Sequence, residues 1–390
     1  MFVQLLKTKW YYIVTLLLIG LSNAYFTTVT SFSPAYIGIL LAPLSFIFFI
    51  NSGETIRRNV KTIGIFIFIF AFLLLLLIDC LITGNTDKAS YYFNYWFYNH
   101  FIFILCVYYF QRCNLTQIIK IIKVLFVISS LVFIIDFIYR MNNARSDFSG
   151  LLAFYNFKFN SIMFLDSNWP GFMSMLLFSV LVYLKDNHFL KSNKILFFSF
   201  LLVIQTLSRA AMASCVAVLL FSRFIRLRKK IKYYIIVIGT PFMIVLVIFM
   251  LTKLTDASFL SKLEILKGML YYITHFDLHT LIWGNYPDAC HDSLRFMHVW
   301  IGGHLYMTRY IDFGFITALF EFIIFALLCI YTHFKALYII LPFLIAGISF
   351  APWNLPYMYC LLGLIYVLEN SLYKDNEQSF PIKFNIKRDL

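Results

Sequence analysis

Residues 283–322 read WGNYPDACHDSLRFMHVWIGGHLYMTRYIDFGFITALFEF, a polar, histidine-rich connector that runs without a break into an apolar helix. His291, His298, His304, Arg295, Arg309 and Asp312 crowd into it, whereas nearly all the remaining chain is apolar span or short linker. That contrast decides the fold. The helix reads as one crossing of a bilayer and the connector as a loop at its surface, the place in this chain where chemistry is expected.

Working outward, 62% of the residues are hydrophobic, only 13% are charged and the mean hydropathy is +0.82. Those values lie far outside the range of a soluble globular domain. Apolar runs recur at the length needed to cross a hydrocarbon core about 30 Å thick at about 1.5 Å per helical residue. Spans are predicted at 10–28, 34–50, 63–82, 93–110, 124–139, 166–184, 195–208, 210–225, 233–251, 309–331, 336–350 and 356–372. The fold class is therefore an all-α polytopic integral membrane protein with about 12 transmembrane helices, residues 1–390 forming a single membrane domain. The basic, apolar start reads as an uncleaved signal anchor. Seven cysteines, mostly within spans and without a CxxC pair, imply neither a disulfide framework nor a zinc ribbon.

The formal charge of +14 is mainly a statement about orientation. With the N-terminus inside, most of the 32 basic residues fall on connectors of one side, which the positive-inside bias makes cytoplasmic, together with both termini. The run 223–232, RFIRLRKKIK, anchors that face on anionic lipid, and no nucleic-acid partner is expected. Ten cations are exceptions on the outer side: Lys88, Arg140, Arg145, Lys158, Arg209, Lys253, Lys262, Lys267, Arg295 and Arg309. Positive charge kept there against the bias calls for a partner, and an anionic ligand is the first reading; acidic side chains and lipid headgroups are the others.

Two outer connectors are long enough to fold, 140–165 and 252–308. In the second, Ser261 and Glu264 form a capping-box pattern ahead of Leu263, Leu266 and Leu270, which predicts a short helix along the membrane surface. The same connector holds His275, His279, His291, His298 and His304 with interleaved Tyr and Trp. Such aromatics stack on sugars but more commonly form an interfacial belt. No standard zinc spacing links Cys290 to these histidines, so no metal is expected. No phosphate-binding glycine loop and no nucleophile elbow occurs.

Three short segments carry the candidate chemistry. Arg209 sits in TLSRAAMASC, in a turn too short for it to leave the membrane surface, followed by small residues that leave room for a ligand. Asp166 and Asn168, in FLDSNWPGFMSM, open a span whose helix N-terminus suits an anion or a sugar hydroxyl, but taken alone plain N-capping is the preferred account of them. His304, between Arg295 and Arg309, has the side-chain chemistry to hold or deprotonate a hydroxyl.

In that order, LDSNWPGF, TLSRAAMA and GGHLYMTRYIDFGFITALFEF resemble the motifs of the O-antigen polymerase and O-antigen ligase superfamily of bacterial inner-membrane glycosyltransferases. The resemblance implies a GT-C-like fold whose large periplasmic loop, 252–308, carries part of the active site. It implies a glycan transferred from undecaprenyl diphosphate to an acceptor hydroxyl, without metal or other cofactor. Arg209 and Arg295 are implied to hold the diphosphate and His304 to orient or deprotonate the acceptor. Lys262, Arg309, Arg145, Asp166, Asn168 and Tyr306 are implied as further substrate contacts. The implied partners are an undecaprenyl-diphosphate-linked oligosaccharide, membrane lipid and a chain-length regulator protein.

The high Phe, Ile and Tyr content and the divergence of the motifs resemble the polymerases more than the ligases, which transfer a finished glycan to lipid A core. A flippase or transporter is the alternative from another class, with Asp79, Asp136 and Glu321 as a proton relay. Against it, the polar residues gather at one face instead of the midplane.

Overall fold

The computed structural model describes residues 10–22, 24–30, 32–42, 60–84, 86–144, 150–235, 237, 239, 264, 267–268, 270–271, 273–284, 309–347 and 355–378. Among them every regular element is helical and no strand occurs. In chain order these are α1 (Trp10–Gly20), α2 (Val60–Thr83), α3 (Thr86–Tyr91), a π-helical turn (Tyr92–Phe97), α4 (Tyr98–Phe110), α5 (Leu115–Asn143), α6 (Gly150–Phe159), α7 (Asn168–Asp186), α8 (Asn193–Ile204), α9 (Arg209–Ile225), α10 (Leu278–Trp283), α11 (Arg309–Tyr331), α12 (Leu337–Gly347) and α13 (Pro356–Gln378). Each expected span meets a helix, and those at 34–50, 233–251 and 336–350 extend beyond the described residues.

Helix α5 shows why these sequences belong in lipid. Its start lies ahead of the apolar run expected at 124–139, because Asn114 and Gln117 form a reciprocal capping box: Asn114 Oδ1 accepts from Gln117 N at 2.8 Å and Gln117 Oε1 from Asn114 N at 2.9 Å. Ile118, Ile122, Leu125, Ser129, Phe133, Asp136 and Arg140 are buried at helical spacing, and Val127, Leu131, Ile135 and Ile138 are exposed on the opposite face. The polar side chains thus point inward and the outer stripe is oily, the reverse of a surface helix in water. The segments Ile63–Thr83, Leu115–Asn143 and Asp312–Tyr331 are each long and apolar enough to cross a membrane. Leu81 of α2 and Phe322 of α11 lie on the same exposed apolar skin.

Helix α7 is the axis of the bundle. Every residue from Pro170 to Leu184 is buried, since α8, α9 and α12 pack around it. A second group forms where α13 lies along α4 and α1, and α13 joins the groups by touching α7 and α12. The turn 205–208 makes α8 and α9 antiparallel, so the N-termini of α7 and α9 meet at one end with the C-terminus of α5. The opposite end gathers the C-terminus of α7, the end of α9 and the start of α12.

Candidate anion site at the amino end of α7

The two motif segments containing Asn168 and Arg209 are pressed together by their backbones. A Cβ added to Gly171 would lie 2.8 Å from both Ser208 Cβ and Thr206 Oγ1, so only glycine lets the start of α7 approach the α8–α9 turn this closely. Ser167 Oγ seals the contact by donating to Thr206 O at 2.8 Å. Phe164 and Leu165 before α7, and Leu207 before Arg209, have φ of 60°, 54° and 54°. Left-handed backbone at bulky residues persists only where the surroundings enforce it.

Around this contact the described residues assemble three cations. Arg140, fully buried at the end of α5, pairs through Nε with Asp136 at 2.9 Å. Ser161 Oγ donates to the other Asp136 oxygen at 2.7 Å. Arg140 Nη1 donates to Gln205 O at 3.2 Å, and its guanidinium lies 4.7 Å from the Phe157 ring centre. Arg140 Nη2 is buried and meets no hydrogen-bond acceptor among the described residues. A buried charged N–H left in that state is costly, which makes it a strong seeker of an acceptor.

Lys158, on α6, donates to Asn168 Oδ1 at 3.0 Å. Asn168 N and Nδ2 donate in turn to the two oxygens of Asp166, at 2.9 and 3.1 Å. Asp166 and Asn168 therefore act as a relay that orients Lys158 as well as an opening for α7. Burial holds the Lys158 ammonium below the usual lysine range; Asp166 opposes that shift, while Arg209 and Arg140 reinforce it by repulsion. Arg209 is exposed at the first position of α9. Among the described residues, Arg140, Lys158 and Arg209 thus gather beside Asp136 and Asp166.

A second fixed point bounds the polar connector. Gly284, just after α10, and Gly314, at a kink in α11, have φ of 81° and 77° and touch backbone to backbone. A Cβ on Gly284 would come within 2.5 Å of Asp312 O and Gly314 N. Tyr92, on the π-helical turn, donates to Trp283 O at 2.8 Å and lies 3.3 Å from Phe313 O. His279 Nε2 lies 3.4 Å from Asp79 Oδ1 beside it. The described part of the surface helix expected after Ser261 is helical and carries a Glu264–Lys267 ion pair at 2.5 Å.

Of the residues singled out from sequence, Arg209, Asp166 and Asn168 come together. Arg309 opens α11, but its side chain, like His304, Arg295, Lys262, Arg145 and Tyr306, lies outside the described residues. Arg140 and Lys158 were not singled out as site residues, although both stand among the ten outer cations and the i, i+4 spacing of Asp136 to Arg140 was visible. The acids considered for a proton relay each have a partner: Asp136 has Arg140, Asp79 has His279, and Glu321 accepts from Tyr359 Oη at 3.1 Å. Comparisons with protein-family models, curated proteins and solved structures gave no match.

Proposed function

We propose that this chain is a polysaccharide polymerase of the O-antigen polymerase type, a twelve-span protein of the bacterial inner membrane that moves a growing glycan from undecaprenyl diphosphate to a hydroxyl of the next lipid-linked repeat unit. The observation that carries this reading is the convergence of Arg140, Lys158 and Arg209 at the amino end of α7. A diphosphate is the leaving group whose negative charge such a cluster matches, and the forked donors of Arg suit phosphate oxygens. The topology is supported by the connectors. Thr28 donates to Ile162 O at 3.1 Å, Ser167 to Thr206, and Tyr92 to Trp283, and each pair joins segments that the twelve-span alternation assigns to the periplasmic face.

In this mechanism Arg209 holds the diphosphate at the membrane surface and Lys158, oriented by Asn168, adds a second cation. Arg140 strengthens both from behind and offers its unspent N–H to a phosphate oxygen or a phosphate-bound water. The acceptor hydroxyl oxygen attacks the anomeric carbon as the bond from that carbon to the diphosphate oxygen breaks. The electron pair leaves on the diphosphate, where the cations stabilise it, and the hydroxyl proton passes to His304. Arg295, Arg309, Lys262, Arg145 and Tyr306 complete the substrate contacts, and no cofactor is needed. A chain-length regulator protein fits as a partner, since nothing in this chemistry counts repeats.

The test uses purified protein with undecaprenyl-diphosphate-linked repeat units and sizes the glycan. Ladder formation by the native chain, and its loss in Arg209→Ala at unchanged membrane levels, is the expected result. A ladder that survives Arg209→Ala, Arg295→Ala and His304→Ala alike would remove the assignment.

A further inference from the structure

At the carboxyl end of α7, away from the candidate site, a narrow, shallow crevice runs between α5 and the α7–α8 hairpin. Its walls are apolar, formed by Ile122 and Phe126 of α5, Leu181 and Leu184 of α7, and Phe189 and Ile195 around the hairpin connector. The one charged side chain lining it is Lys123. Lys191 and Lys194, both exposed, flank the hairpin residues that form the opposite wall. The acid of the same connector, Asp186, is already engaged, with Arg226 Nη2 at 2.9 Å and the Tyr338 hydroxyl hydrogen-bonded to it. The crevice therefore offers an oily slot with an excess of positive charge at its rim.

We propose that this crevice binds an anionic phospholipid, with an acyl chain against Ile122, Phe126 and Leu184 and the headgroup phosphate on Lys123, Lys191 and Lys194. The physical basis is twofold. An apolar slot on a helix bundle in a bilayer is filled by hydrocarbon, which any phospholipid supplies. Three lysines without a facing carboxylate on the lining then select for a negative headgroup. Lysine point charges suit the loose, hydrated contact of a headgroup at the interface, in contrast to the arginines of the other end. The site rests on charge and shape alone and does not depend on the glycan-transfer reading.

Native mass spectrometry of the full chain, stripped of lipid in detergent and then offered phosphatidylglycerol or phosphatidylcholine of matched acyl chains, tests it. Retention of phosphatidylglycerol at least tenfold above phosphatidylcholine is expected. Lys123→Glu combined with Lys191→Glu and Lys194→Glu should abolish that preference, and the neutral Lys123→Met should weaken it severalfold if the triple variant fails to fold. Ile119→Trp, which fills the slot from α5, should lower retention of both lipids. The control neutralises Lys267, which is exposed and paired with Glu264 away from the crevice, and should leave the preference intact. Equal retention of the two lipids, or an equal loss from the control and the crevice variants, would overturn the proposal. So would binding of free glycerol phosphate as tight as that of the lipid.

Discussion

The two ends of helix α7 are built from similar materials and balance them differently. At the carboxyl end Asp186 has Arg226 and Tyr338, and Glu369 accepts from Tyr183 Oη at 2.6 Å with Lys335 nearby. Both acids there are engaged by a base and a tyrosine, while Lys191 and Lys194 of the α7–α8 hairpin stay exposed at the rim. At the amino end Asp136 and Asp166 face Arg140, Lys158 and Arg209, and one guanidinium N–H remains unspent among the described residues. Backbone strain does not separate the two, since left-handed residues occur at both: Phe164, Leu165 and Leu207 at one, His188, His333 and Phe334 at the other. Strain marks tight turns in this bundle; what sets the amino end apart is a buried guanidinium N–H that meets no acceptor among the described residues.

Several experiments can break this contrast, beginning with the largest effect. Asp136→Asn strands Arg140 as a buried cation and should cost about 3–5 kcal/mol in thermal or denaturant unfolding. The double change Asp136→Leu with Arg140→Met should recover most of it, so a double variant as unstable as the single one would show that the pair is not the source. Next, Arg209→Ala should lower glycan elongation about a hundredfold, whereas Asp186→Asn at the carboxyl end should leave turnover within about twofold because Arg226 there is half exposed. Comparable losses from both would erase the distinction between the ends.

Packing gives a smaller effect. Gly171→Ala forces Ser208 and Thr206 away from α7 and should cost about 1–3 kcal/mol. Gly363→Ala meets Cys106 Cβ at 3.1 Å and should cost less, a ranking that differential scanning can check. The smallest effect is electrostatic. Lys158 sits below the ordinary lysine range near 10.5, so its positive charge is lost earlier as pH rises. Anion affinity at the amino end should therefore fall with rising pH before an ordinary lysine titrates, and Lys158→Gln should remove that step. Stability should move the other way: in the window between the lowered and the ordinary value the unfolded chain binds more protons, which makes stability rise with pH. A titration of affinity in Lys158→Gln identical to that of the native chain would refute the assignment.

Much of the fold was legible because the apolar runs are long and helical spacing exposes inward and outward stripes, as on α5. The complete burial of α7 was harder to read, since a helix apolar on every face does not announce which neighbours surround it. The π-helical turn at Tyr92 and the kink at Gly314 were not legible either, because both answer to contacts between segments far apart in sequence. At the site, Arg209, Asp166 and Asn168 could be placed at one face by alternation alone. Their actual contact depends on Gly171 against Ser208, a packing event that no local pattern encodes. Arg140 and Lys158 were visible as cations on the wrong side, but the step from exception to site needed Asn168 Oδ1 on Lys158 and Asp136 on Arg140. The histidine half of the expected site, with His304 and Arg295, falls outside the described residues and rests on the motif resemblance.

The central claim is that the amino end of α7, with Arg140, Lys158 and Arg209, serves transfer of a glycan off a lipid diphosphate. Its most direct measurement is the size of the product made by the purified full chain from undecaprenyl-diphosphate-linked repeat units. The account predicts a ladder rising by whole repeats, with undecaprenyl diphosphate released at each step and both lost in Arg209→Ala. Product that stays at one repeat length in the native protein, under conditions where the lipid-linked substrate is shown to bind, would contradict it.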